Sequence, residues 1–144
     1  MDGHVWVLRR SDGRLLWHHT TGSPVESSPV IVDDADVFGA WNGTIAALDL
    51  RTHRVRWSRR EGCKITSSAS LAGSTLYIGD YCGRLLALRA STGALRWSRS
   101  VNGRIYGTPA VSAGRVFVPS STVTGRSVVS RSVKHRTPSA EVSS

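Results

Sequence analysis

Cys63 and Cys82 are the residues of this 144-residue chain best equipped for chemistry. They permit one disulfide or two free thiols, and two cysteines alone do not fix a compartment. A bond between them requires an oxidising one. The acidic stretch Asp33-Asp34-Ala35-Asp36 has the look of a calcium loop. It lacks the following glycine and the distal glutamate of an EF-hand, and reads as a solvated hairpin turn. His18 and His19 are neighbours on a strand, so they point to opposite faces and cannot chelate one metal together. No nucleophile elbow, phosphate loop or paired CxxC motif occurs. The expected catalytic, cofactor-binding and metal-ligating sets are therefore empty.

The elements that must position these residues follow from a repeat. Trp17, Trp57 and Trp97 are spaced by 40, as are Gly3, Gly43 and Gly83, and Leu8, Leu48 and Leu88. Ser28, Ser68 and Thr108 keep the same step, and Pro29 and Pro109 bracket Ala69. One unit reads as four strands. Val25 to Val32 is an apolar run, followed by a turn at Asp33-Asp34-Ala35 and a second strand from Asp36 to Ala40. Trp41-Asn42-Gly43 is a hairpin signal, because Asn-Gly tolerates the positive φ of tight turns. Thr44 to Asp49 and Val55 to Ser58 complete the unit, with a turn at Arg51-Thr52-His53. The next unit gives Ile65 to Ala72, Leu76 to Asp80, Arg84 to Arg89 and Leu95 to Ser98. Four short strands in about 40 residues are the pattern of a β-propeller blade, whose faces are buried by its neighbours. The tryptophans are natural fillers between blades.

Strand register makes a prediction for the cysteines. If Ala72 opposes Thr75, Ile65 opposes Cys82 and Cys63 opposes Arg84. Cys63 and Cys82 are then diagonal neighbours, near the ~4.4–6.8 Å Cα separation of a disulfide.

The segment Leu88-Arg89-Ala90-Ser91-Thr92-Gly93-Ala94-Leu95-Arg96-Trp97 resembles the tryptophan-docking motif of the pyrroloquinoline-quinone-type (PQQ-type) propeller repeat family. Ala47-Leu48-Asp49 through Thr52 to Trp57 is a second copy, and Leu8 through Asp12-Gly13 to Trp17 a looser third. Val25-Glu26-Ser27-Ser28-Pro29 and Ile65-Thr66-Ser67-Ser68-Ala69 are similar to the family's innermost strand. His53 stands where the motif has glycine. The position calls for a left-handed conformation, which histidine tolerates with modest strain. The resemblance implies an all-β fold of four-stranded antiparallel blades, about three of them forming an open arc. It also raises the quinoprotein dehydrogenases, known for adjacent cysteines, a calcium site and an aspartate base. Cys63 and Cys82 are not adjacent, and no ligand set matches position by position. No cofactor is expected.

The expected layout is a PQQ-like repeat region over residues 1–130, then a basic, serine-rich, disordered tail over 131–144. Within the repeat region, a half-blade spans 2–19, blades span 24–58 and 64–98, and a partial blade spans 104–130. Gly125 to Val129 is a weak third strand for the last unit. The expected chain is thus part of a larger propeller. Net charge is +9, nearly all from arginine. Arg14, Arg54, Arg56, Arg84 and Arg96 are scattered over what should be solvated strand faces. No basic helix or aromatic-interleaved motif points to specific nucleic-acid binding. The tail's Arg126, Arg131, Lys134 and Arg136 are expected to be solvated. No apolar run reaches the length of a membrane span. No signal peptide is evident, and the compartment stays open. The function expected is a non-catalytic interaction scaffold, as in the family's BamB-like members, with a protein or further blades as partner. The alternative is part of a quinoprotein oxidoreductase.

Overall fold

The computed structural model describes residues 3–121 and the strand at 127–134. Every regular element among them is a β-strand. β1 (His4–Leu8) and β2 (Leu15–Thr20) form a two-stranded sheet. β3 (Val30–Val32), β4 (Ala35–Gly39), β5 (Thr44–Asp49) and β6 (Val55–Arg60) form a four-stranded meander. β7 (Ser70–Ala72), β8 (Thr75–Gly79), β9 (Arg84–Arg89) and β10 (Leu95–Ser100) repeat it. β11 (Ala110–Ser112), β12 (Arg115–Ser121) and β13 (Ser127–Lys134) form a three-stranded sheet. These sheets are blades 1 to 4 of an open arc, all antiparallel.

The core lies between blades. Alternation along β4 and β5 sends Ala35, Val37, Ile45 and Ala47 towards blade 3, where they meet Leu76, Ile78, Leu86 and Leu88. The other face of blade 2, Phe38, Ala46 and Leu48, meets Val5 and Trp17 of blade 1. Blade 3 repeats the scheme: Tyr77, Leu85 and Ala87 pack on Val116 and Val118 of blade 4. Each fully buried leucine or isoleucine contributes roughly 1.5–3 kcal/mol, so the stacking of blades is the main source of stability.

The tryptophans close the outer rim. Trp57 lies on the turn of blade 3, its indole N–H donating to the Ala90 carbonyl at 3.1 Å. Gly93 makes this possible. Its φ is +71°, and an added Cβ would sit 2.4 Å from the Trp57 ring. One repeat earlier, His53 takes the same left-handed conformation at φ 60° and stacks flat on Trp17, ring centroids 4.1 Å apart.

The innermost strands differ from expectation. β3 and β7 have three residues each, far shorter than the apolar runs from Val25 and Ile65. Ser27 interrupts the ladder: its hydroxyl oxygen accepts from Gly39 N–H at 2.8 Å and donates to Gly39 C=O at 3.1 Å. Ser67 does the same to Gly79. In blade 4 the corresponding residues are Gly107 and Pro119, where neither the hydroxyl nor the N–H exists. The turn is also shorter than read: Ala35 pairs with Val32, leaving Asp33 and Asp34 as the tight pair at φ 45° and 58°. Asp36 is not part of a solvated turn but lies in β4, 3% exposed. β13 begins later than the expected Gly125–Val129 strand and takes in residues 131–134, including Arg131 and Lys134. Residues 122–126 and 135–144, with Arg126 and Arg136, lie outside the described residues.

Candidate binding face

One end of the arc carries the β4–β5 and β8–β9 turns together with the links between blades. Backbone bonds join the two sets: Trp41 N–H donates to Pro24 C=O, and Tyr81 N–H to Lys64 C=O, each at 2.9 Å. Gly43 and Gly83 sit beneath these turns, where a Cβ would fall 2.2 Å from Glu61 O and 2.3 Å from Gly103 O.

This arrangement brings five side chains together. The Lys64 ammonium lies 4.7 Å from the Trp41 ring centre and 4.1 Å from that of Tyr81. The Arg104 guanidinium lies 4.4 Å from the same Tyr81 ring. Tyr106 meets Tyr81 edge-on, centroids 5.5 Å apart. Tyr106 accepts hydrogen bonds from Tyr81 and Arg104, which lowers its own pKa, while holding a proton for Tyr106 raises that of Tyr81. Trp41 and Tyr106 remain exposed. Among the described residues no carboxylate pairs with Lys64 or Arg104.

Cys63 and Cys82 flank this cluster and are bonded to each other, Cα atoms 6.0 Å apart. They face each other directly and not diagonally. The Tyr81–Lys64 bond sets the register near the face two residues away from that of the Ala72–Thr75 pair, because the Ser67 interruption lies between. The expected Ile65–Cys82 and Cys63–Arg84 pairs are therefore not formed. In blade 2 the same two positions hold Ser23 and Asn42, joined by a hydrogen bond from Asn42 N–H to the Ser23 hydroxyl oxygen at 3.0 Å.

Beside the disulfide is a cavity of about 310 Å³ lined by Gly62, Cys63, Asp80, Cys82, Arg84 and Ser100. The acids in and next to it, Asp80 and Glu61, are engaged. Glu61 takes Arg59 at 2.6 Å and also Arg84, and Asp80 takes the Arg84 N–H at 2.8 Å and the Arg84 side chain at 3.5 Å. Arg84 is thus an ion-pair residue and not simply a solvated one. Arg56 likewise binds Asp49 at 2.7 Å. Backbone N–H donation from Thr52, then Arg56, holds Asp49 well below the usual carboxylate range. Among the described residues no three His, Cys, Asp or Glu side chains come together to hold a metal. The bonded cysteines come from the β6–β7 link and the β8–β9 turn, 19 residues apart. These residues do not fit a calcium-bound quinone.

Of the sequence-derived motif residues, Gly43 and Gly83 lie under the turns of this face; Gly3 sits just before β1, Leu48 and Leu88 are in the cores, the tryptophans are at the rim, and Leu8 is exposed on blade 1. The face itself was missed. A signal existed, since Trp41 and Tyr81 are one repeat apart, and so are Lys64 and Arg104. No helix of the described residues is long and apolar enough to cross a membrane.

No curated protein sequence matches the chain. Among solved structures, it is similar to BamB from Moraxella catarrhalis, with 25% identity, a TM-score of 0.74, 92% of this chain covered and 44% of that one. The computationally designed Ika4 protein shares the fold at a TM-score of 0.77 and 18% identity, over 93% of this chain and 81% of the design. The quinohemoprotein alcohol dehydrogenase of Comamonas testosteroni matches at 26% identity and a TM-score of 0.64, over 73% of this chain and 18% of the enzyme. The chain thus spans less than half the length of the Moraxella protein and under a fifth of the dehydrogenase. A family model described as outer membrane protein assembly factor BamB matches residues 1–72 and 41–135. The chain belongs to that BamB-like family of PQQ-type propeller repeats.

Proposed function

We propose that the chain is a non-catalytic protein-interaction scaffold whose Trp41–Lys64–Tyr81–Arg104–Tyr106 face takes an acidic segment of a protein partner. The observation that carries this reading is the pair of cations on one tyrosine ring, neither of them ion-paired with a carboxylate among the described residues. Tryptophan, tyrosine and arginine are the residues that most often supply binding energy at protein interfaces. A carboxylate reaching Lys64 and Arg104 would lie against exposed Trp41 and Tyr106, partly shielded from water and salt. The Cys63–Cys82 bond holds the two segments that carry Lys64 and Tyr81, and suits an oxidising compartment.

The test is a titration of the chain with a peptide of alternating glutamate and leucine, followed by tryptophan fluorescence. The expected result is binding that weakens with salt and loses about tenfold or more in the Lys64→Ala/Arg104→Ala variant. Equal binding by that variant would refute the reading. Micromolar binding of PQQ with calcium, about −8 kcal/mol, would favour the quinoprotein alternative instead.

A further inference from the structure

The links and turns of the binding face meet three times in the same way. Trp41 N–H donates to Pro24 C=O, Tyr81 N–H to Lys64 C=O, and Ser121 N–H to Arg104 C=O, each at 2.9 Å. The middle contact alone has a covalent bond beside it, Cys63–Cys82. In the first, Ser23 and Asn42 replace the cysteines and share a hydrogen bond. In the third, Gly103 stands where Cys63 does and has no side chain to join. The backbone contact thus forms without a cross-link, and the blades do not need this one in order to fold.

What the bond restrains is local. Cys63 precedes Lys64, and Cys82 follows Tyr81. The Tyr81 ring carries the Lys64 ammonium at 4.1 Å and the Arg104 guanidinium at 4.4 Å. Two like charges on one ring repel. With the bond made, a cross-link and one backbone hydrogen bond hold the Lys64 link to the Tyr81 turn. With it broken, the hydrogen bond acts alone against that repulsion.

The bond is also within reach of a reagent. Cys82 is exposed, Cys63 is half-buried, and both line the cavity of about 310 Å³. We propose that Cys63–Cys82 is a redox latch on this face: a dithiol reductant opens it, the blades stay folded, and the grip on an acidic segment weakens. The last step rests on the function proposed above. One thiolate of the dithiol attacks the exposed Cys82 Sγ, the S–S bond breaks, and Cys63 leaves as a thiolate. The second thiolate of the dithiol then displaces Cys82 and closes the reductant's own disulfide. Two electrons pass to the cysteines, and the two protons of the dithiol end on Cys63 and Cys82.

Dithiothreitol tests this on the whole chain, whose two cysteines offer it a single bond. Thiol counting without denaturant is expected to find both cysteines free, with the β-sheet circular dichroism retained. Amide exchange at Tyr81 is expected to speed up by about tenfold or more, while Leu86 and Leu88 of β9 still exchange slowly, as in a folded blade. Affinity for the alternating glutamate and leucine peptide is expected to fall about tenfold and to return on reoxidation. The Cys63→Ser/Cys82→Ser chain should match the reduced wild type and ignore dithiothreitol. A bond that yields only in denaturant, a reduced chain that unfolds, or Tyr81 exchange equal in both states would overturn the latch. So would a peptide held equally by both forms. A peptide that neither form binds would overturn the acidic-segment reading, and exchange at Tyr81 would still decide the latch.

Discussion

Blades 2 and 3 share every strand boundary at a spacing of 40, and their differences are substitutions at equivalent positions. Ser23 and Asn42 make a hydrogen bond where Cys63 and Cys82 make a covalent one. Asp36 occupies the site of Leu76, His53 that of Gly93, and Asp49 that of Arg89. The backbone accommodates all four exchanges. What changes is the load each position carries: blade 3 is closed by apolar packing and a cross-link, blade 2 by polar side chains and a ring stack. The comparison teaches that this repeat fixes the path of the chain, while single side chains decide how tightly each blade is held.

The sharpest way to break the comparison is to give blade 3 the polar pair of blade 2. Cys63→Ser with Cys82→Asn removes a cross-link closing 19 residues, which the chain-entropy relation values at about 3 kcal/mol. The hydrogen bond copied from blade 2 returns about 1 kcal/mol. Urea denaturation is expected to show a net loss of about 2 kcal/mol relative to the oxidised wild type. The Cys63→Ala/Cys82→Ala chain should lose more. Equal stabilities for all three would mean that the bond does not restrain this hairpin.

The next effect has the opposite sign. Burial raises the Asp36 carboxyl from 3.8 to about 6. The folded chain thus keeps a proton that the unfolded chain has released. This group favours folding most below pH 3.8, and its contribution is lost as pH rises from there to about 6. Asp36→Leu, which copies blade 3, is expected to stabilise the chain at about pH 7.5 by about 2 kcal/mol. The same variant should flatten the stability profile between about pH 4 and about pH 6. A variant no more stable than wild type would show that the carboxylate is solvated.

The repeat was legible because spaced tryptophans and glycines report on packing that recurs in each blade. Gly93 and Trp57 announce one contact together, since only a glycine leaves room for the ring. The innermost strands were not legible, because Ser27 replaces a ladder bond with a side-chain bond and an apolar run does not show that substitution. The same interruption shifts the register by two residues and turned a diagonal cysteine pair into a direct one. The binding face was hidden for a different reason. Trp41, Lys64, Tyr81, Arg104 and Tyr106 come from three blades, and only the arc makes them neighbours.

The smallest expected effect concerns His53. A non-glycine residue at φ 60° costs about 1 kcal/mol, and glycine would relieve that strain. Glycine would also remove the imidazole stacked on Trp17, a contact worth about 0.5–1.5 kcal/mol, and would loosen the unfolded chain. These terms oppose one another, so His53→Gly is expected to change stability by less than about 1 kcal/mol. The reciprocal change is not symmetrical. At Gly93 a Cβ would press into the Trp57 ring at 2.4 Å, and the indole would have to leave the Ala90 carbonyl. Gly93→His is therefore expected to cost about 2–3 kcal/mol, even though it copies a residue the neighbouring blade accepts. Thermal melts of the two variants side by side make the check. A Gly93→His chain as stable as His53→Gly would mean that Trp57 can retreat as Trp17 does, and that the two turns are interchangeable after all.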